Sequence, residues 1–114
     1  MRVAVVAVAA LLLAACPHVA RADISGADTV ARLRNNDVYA QAVLMGIAQG
    51  LEWANTEMTS RHERPFFCIP PKVSLTSGQE IDIFTRYLDE TPEYGRFPVG
   101  LVVLKALQDA FPCP

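Results

Sequence analysis

Apolar residues recur at intervals of three and four over four stretches of the chain, a spacing that predicts four helices. The first begins at Ser25, a suitable N-cap, and places Val30 and Leu33 before Asn35-Asn36. Asp37 caps a longer second helix, in which Val43, Gly46, Ile47, Gly50, Ala54 and Met58 share one face. From Thr56 to Lys72 the pattern lapses into polar residues and the prolines at 65, 70 and 71, which predicts a loop. Thr76-Ser77-Gly78-Gln79 then matches a capping box, T-x-x-Q, and opens a third helix.

In that third helix Ile81, Phe84 and Leu88, flanked by Ile83 and Tyr87, form an apolar face. Glu80, Asp82, Arg86, Asp89 and Glu90 are expected to face water, with Asp82 and Arg86 pairing at i, i+4. Thr91-Pro92 ends it, Tyr94-Gly95-Arg96 turns the chain, and Pro98 suits the first turn of a fourth helix reaching about Ala110. The fourth is apolar except for a strip at Lys105, Gln108 and Asp109, and is expected to be the central one. The fold class is therefore all-α, a small four-helix bundle-like domain over residues 23–114.

Two glycines on the second helix ask for a reason, because each weakens a helix interior by about 1 kcal/mol relative to alanine. Their G-x-x-x-G spacing lacks the preceding strand of a phosphate loop, so Gly46 and Gly50 are expected where another backbone crosses closely. Tyr39, Leu44, Met45 and Trp53 do not fit one core-facing stripe together, which leaves two readings: packing against the first helix, the favoured one, or apolar area exposed for a partner.

The start of the chain changes the picture of compartment. Met1-Arg2, the apolar run Val3–Ala15 and the small-x-small triplet Ala20-Arg21-Ala22 read as a signal peptide over residues 1–22. That run is shorter than the roughly 20 residues that span a bilayer. Leu13-Ala14-Ala15-Cys16 resembles a lipobox, so a second route stays open, in which the signal is 1–15 and Cys16 is the lipidated mature N-terminus. The expected location is the periplasm, soluble by the first route and lipid-anchored to an envelope membrane by the second.

Either route leaves two thiols to the folded part, Cys68 and Cys113, and an even count in an exported domain predicts a disulfide. Closing a loop of about 45 residues contributes roughly 4 kcal/mol in the chain-entropy picture. Removal of residues 1–22 takes Arg2 and Arg21, leaving 8 basic against 12 acidic residues, or −4. That balance carries no basic footprint for nucleic acid. His62 is then the remaining histidine, in a polar loop with no spacing that suits zinc, and the thiols are paired. Glu90 and Glu93 bracket Pro92 and read as solvated carboxylates of a turn. The expectation is a binding protein, not an enzyme, with no metal and no cofactor.

Phe67-Cys68-Ile69-Pro70, then Val73, Thr76 and Gln79, then Tyr87-Leu88 and Pro92, and the ending Ala106-Leu107-x-x-Ala110-Phe111-Pro112-Cys113 resemble the Tai/Rap type of immunity protein associated with type VI secretion systems. With Gly46 and Gly50 included, the resemblance spans roughly residues 37 to 113. It implies a periplasmic helical domain that binds a peptidoglycan amidase effector and blocks its active site, that forms a homodimer, and that occludes the enzyme cleft with an inter-helix loop. Here that loop is Asp89 to Phe97, with Asp89, Glu90, Glu93, Tyr94 and Arg96 as the partner-binding residues the resemblance implies. Many members carry a further cysteine pair, one in the first helix and one near the start of the second. This chain has Arg34 and Val38-Tyr39 in those neighbourhoods. Two other readings fit a small exported helical domain: an acid-stress chaperone, which loses packing as buried carboxylates protonate, and an envelope adaptor tethered through Cys16.

Overall fold

The computed structural model describes residues 24–114; the signal peptide and Cys16 lie outside the described residues. Four helices follow one another: α1 (Gly26–Arg34), α2 (Val38–Ser60), α3 (Ser77–Glu90) and α4 (Val99–Ala110), with a 3-10 turn at Pro92–Arg96 between the last two. No strand occurs among the described residues, and one isolated antiparallel bridge joins Ser25 to Pro98.

The cap chemistry decides where the helices begin. The Ser25 hydroxyl accepts from Asp28 N, and an Asp37 carboxylate oxygen accepts from Tyr39 N and Ala40 N. Thr76 and Gln79 close a reciprocal capping box at α3. Both α1 and α2 end in a Schellman arrangement without glycine. Asn36 N and Asp37 N donate to Leu33 O and Arg32 O, while His62 N and Glu63 N donate to Thr59 O and Met58 O. Asn36 and His62 adopt positive φ to do so, 54° and 58°.

The second helix continues to Ser60, beyond the lapse expected at Thr56. Thr56, Thr59 and Ser60 are weak helix formers, but each hydroxyl donates to a carbonyl one turn back, at Glu52, Asn55 and Glu57. The last turn is thus polar and still helical.

The core runs through all four helices and the loop before α3. Leu44, Phe67, Phe84, Val102 and Leu107 are its largest fully enclosed apolar side chains. Every helix packs against the other three, and α4 buries the most residues, Val99, Val102, Val103, Ala106 and Leu107. The start of α1 approaches it closely enough that a Cβ at Gly26 would stand 3.0 Å from Val102 Cγ2. Gly26 N donates to Phe97 O and Val99 N to Ile24 O, tying the chain ahead of α1 to the start of α4.

Cys68 and Cys113 form the expected disulfide, with Cα atoms 4.9 Å apart. It joins the loop ahead of α3 to the tail after α4, so the α3–α4 hairpin is closed at the end opposite the 3-10 turn. The backbone repeats the link, since Cys68 N donates to Phe111 O at 2.8 Å.

Three expectations about faces need correction. Glu80 is not on the water side of α3; it is only 8% exposed. Asp82 and Arg86 form no ion pair; among the described residues Arg34 instead reaches from α1 to Asp89 at 2.8 Å, and Arg32 to Asp37. Gly46 and Gly50 do not sit where another backbone of this chain crosses. Both are exposed, and a Cβ built on either would meet nothing within 4 Å. The buried side of α2 is Ala40, Leu44 and Ala48, about half a turn away from the glycines.

Candidate functional site

The segment between α3 and α4 places Asp89, Glu90, Glu93 and Arg96 in solvent and Tyr94 half-buried. It is a braced element and not a free hairpin end. Pro92 sets its first φ, and Tyr94 N and Phe97 N donate to Thr91 O and Tyr94 O. Tyr94 meets Tyr87 edge-on at 5.6 Å between ring centres and Phe97 at 5.5 Å. Gly95 is buried against α1, where a Cβ would come 3.2 Å from Ala27 Cβ. Arg96 lies over the Phe97 ring at 5.0 Å, which orders its guanidinium without a carboxylate.

Asp89 is already engaged by Arg34, so the charges left for a partner are those of Glu90, Glu93 and Arg96. Burial lifts the Tyr87 phenol beneath the turn above its ordinary range, keeping it a neutral aromatic support. A shallow hollow of about 220 Å³ separates the turn from α1, with Ala31, Arg34, Leu88 and Pro92 on its walls.

A second concave surface was not foreseen from the sequence. A groove of about 790 Å³ runs between the C-terminal half of α2 and the Pro-rich loop, with Glu52, Asn55 and Thr59 on one wall and Ile69, Pro70 and Val73 on the other. Asn55 sets its width. Its side-chain carbonyl accepts from Phe66 N at 2.9 Å and its amide donates to Phe67 O at 2.7 Å, pinning the loop to the helix. Gln108 reaches Phe66 O from α4. An asparagine inside a helix, a position it disfavours, was the signal available for this clamp.

A third surface is the outer side of α2. Val38, Tyr39 and Trp53 stand out on it at 76, 62 and 73% exposure. Of the four apolar side chains that do not fit one stripe, Leu44 is buried, Met45 half-buried, and Tyr39 and Trp53 face outward.

Over residues 9–113 the sequence matches the family described as Rap1a immunity proteins. The chain belongs to this family. Membership makes it an immunity protein whose partner is a secreted effector protein, and it agrees with the Tai/Rap resemblance drawn from the cysteine and proline pattern. Immunity proteins of this kind are generally binding proteins without catalysis. No curated protein and no solved structure matches the chain. Among the described residues, no group of histidine, cysteine and carboxylate side chains is arranged to hold a metal ion, and no helix is long and apolar enough to cross a membrane.

Proposed function

We propose that the protein is an exported immunity protein of the periplasm, acting as a homodimer, that neutralises a peptidoglycan amidase delivered by a type VI secretion system. Family membership over residues 9–113 carries this reading. The apolar start of the chain supports export, with Ala20-Arg21-Ala22 or Cys16 as the processing point. The turn at Pro92–Arg96 is the inhibitory element. An inserted plug binds well only if little order is lost on binding, and this turn is held by its aromatic underside and by α1 before any partner arrives. Glu93 and Arg96 are its exposed polar contacts, and Glu90 flanks them.

The test mixes the purified protein with candidate amidases and follows co-elution and the release of peptidoglycan fragments. One amidase is expected to be bound and inhibited stoichiometrically. The double variant Glu93→Lys, Arg96→Glu is expected to bind about tenfold or more weakly, with the helical circular dichroism unchanged. If no amidase is bound or inhibited while folded protein is in excess, the reading is lost. Mass spectrometry of the mature N-terminus distinguishes Asp23, a soluble periplasmic protein, from acylated Cys16, a tethered one.

A further inference from the structure

The outer face of α2 combines three features that no contact within the chain accounts for. From Val38 to Ala54 its exposed residues are Val38, Tyr39, Ala42, Gly46, Gln49, Gly50 and Trp53, with Ala54 at the edge, and none of these is charged; Glu57, the next exposed residue along the same face, is paired with Arg61. Three are large apolar side chains left mostly in water. Between them the two glycines lay the helix backbone bare.

Apart from Gln49, whose counterpart Val43 is half-buried, these residues pair by type in both directions from Gly46. Four positions away on either side stand small residues, Ala42 and Gly50; seven away stand aromatics, Tyr39 and Trp53; eight away stand Val38 and Ala54. We infer that this face of α2 is a self-docking surface, on which a second copy of the chain lies antiparallel with the two helices crossing at Gly46. This rests on the homodimer in the proposed function and assigns it a face. The twofold axis then sets Gly46 against Gly46, Ala42 against Gly50 and Tyr39 against Trp53, an isologous contact in which small meets small and aromatic meets aromatic. Missing side chains at the centre let the backbones approach, and the aromatics close the ends.

Size and charge favour a second copy as the occupant. Tyr and Trp side chains bury about 150–250 Å² each, so the exposed parts of Tyr39 and Trp53 present on the order of 250 Å² per protomer. The pair thus removes about 500 Å² from water before Val38, Ala42, Met45 and the bare backbone are added, against the roughly 1,000 Å² that a specific interface needs. The stripe is about 25 Å long, which gives the remaining residues room to supply the rest. The stretch from Val38 to Ala54 carries no charge on this face and meets its own copy without repulsion, with Glu57 past its end and paired with Arg61, whereas the charges on the 3-10 turn suit a different partner.

Trp53 is the only tryptophan in the sequence, so its fluorescence reports on this face alone. With rising concentration, the purified protein is expected to show a dimer mass by light scattering and a blue shift of tryptophan emission. Trp53→Glu is expected to weaken the dimer by about tenfold or more while the circular dichroism stays helical. Gly46→Cys, placed on the twofold axis, is expected to give a disulfide-linked dimer under mild oxidation, and Lys72→Cys is not. A protein that stays monomeric at every concentration overturns the inference. So does a dimer that persists in Trp53→Glu with no Gly46→Cys cross-link. Inhibition of an amidase is read separately, so a dimer without an amidase, or a monomer that inhibits one, tells the two readings apart.

Discussion

Glu80 opens the third helix, where the positive end of the peptide dipoles favours a carboxylate. Burial outweighs that help, and the Glu52 carboxylate across on α2 adds to it, so the Glu80 carboxyl is pushed above its ordinary value of 4.5. The sign of the effect on stability follows. Ionised Glu80 is disfavoured in the folded chain relative to the unfolded one, so its contribution is most favourable below the unfolded value and is lost as pH rises through the folded value. Glu80→Gln is therefore expected to raise the unfolding midpoint at neutral pH and to flatten the dependence of stability on pH in the mildly acidic range. Thermal melts of both proteins across that range check it; a variant no more stable at neutral pH contradicts it. The direction also bears on the acid-stress chaperone reading, since protonation of this buried carboxyl tightens the fold instead of loosening it. The spacing did carry a signal of its burial, because Glu80 stands four positions before Phe84 and eight before Leu88, the row this helix buries; its charge pointed the other way, since a carboxylate is seldom buried without a partner.

At the scale of elements, the helix starts were legible because caps are local chemistry: Ser25, Asp37 and the Thr76–Gln79 box each act within one turn. The end of α2 was not, because its stop signal is a Schellman turn built on His62 and its polar last turn satisfies itself with hydroxyls. Gly46 and Gly50 were expected on the face where another helix crosses and lie instead in solvent, since periodicity reports a stripe but not which of two stripes on one helix is covered. For the candidate site, the exposure of Glu90, Glu93 and Arg96 followed from composition, while the 3-10 winding depends on Gly95 meeting Ala27 across more than sixty positions, roughly the span from α1 to the turn that local patterns do not reach. The groove beside Asn55 is equally non-local. Asn55→Ala removes both bonds of the clamp at once, and partly satisfied backbone groups of this kind cost about 1–3 kcal/mol. Phe66 is exposed enough for its N–H to find water, which puts the expected loss in the lower half, about 1–2 kcal/mol. Urea unfolding measures it, and faster hydrogen exchange confined to the Phe66 amide would locate it to the clamp.

For the whole molecule, the question is what keeps so small a domain folded, and the disulfide and the core give different answers that one variant separates. The Cys68–Cys113 bond spans 45 residues, holding together α3, the 3-10 turn and α4. In the folded state its two ends are also held without it, by Cys68 N on Phe111 O, by Gln108 on Phe66 O and by buried Phe67. The bond therefore acts mainly on the unfolded chain, whose freedom it restricts by about 4 kcal/mol in the loop-entropy picture. A double Cys68→Ala, Cys113→Ala variant should keep the native helical spectrum and the position of the turn while losing up to about that much of the 5–15 kcal/mol typical of a domain. The denaturant slope carries the distinction. An unfolded chain released from its cross-link exposes more surface, so the slope should rise as the midpoint falls. If the midpoint falls with the slope unchanged and the native spectrum altered, the bond is instead shaping the folded hairpin. The 3-10 turn would then owe its rigidity to the far end of α3 and α4, and the proposed inhibition of an amidase should weaken in step with the lost stability. If the slope rises, as expected here, inhibition by the folded fraction is unaffected, because the turn is braced locally by Tyr87, Phe97 and α1.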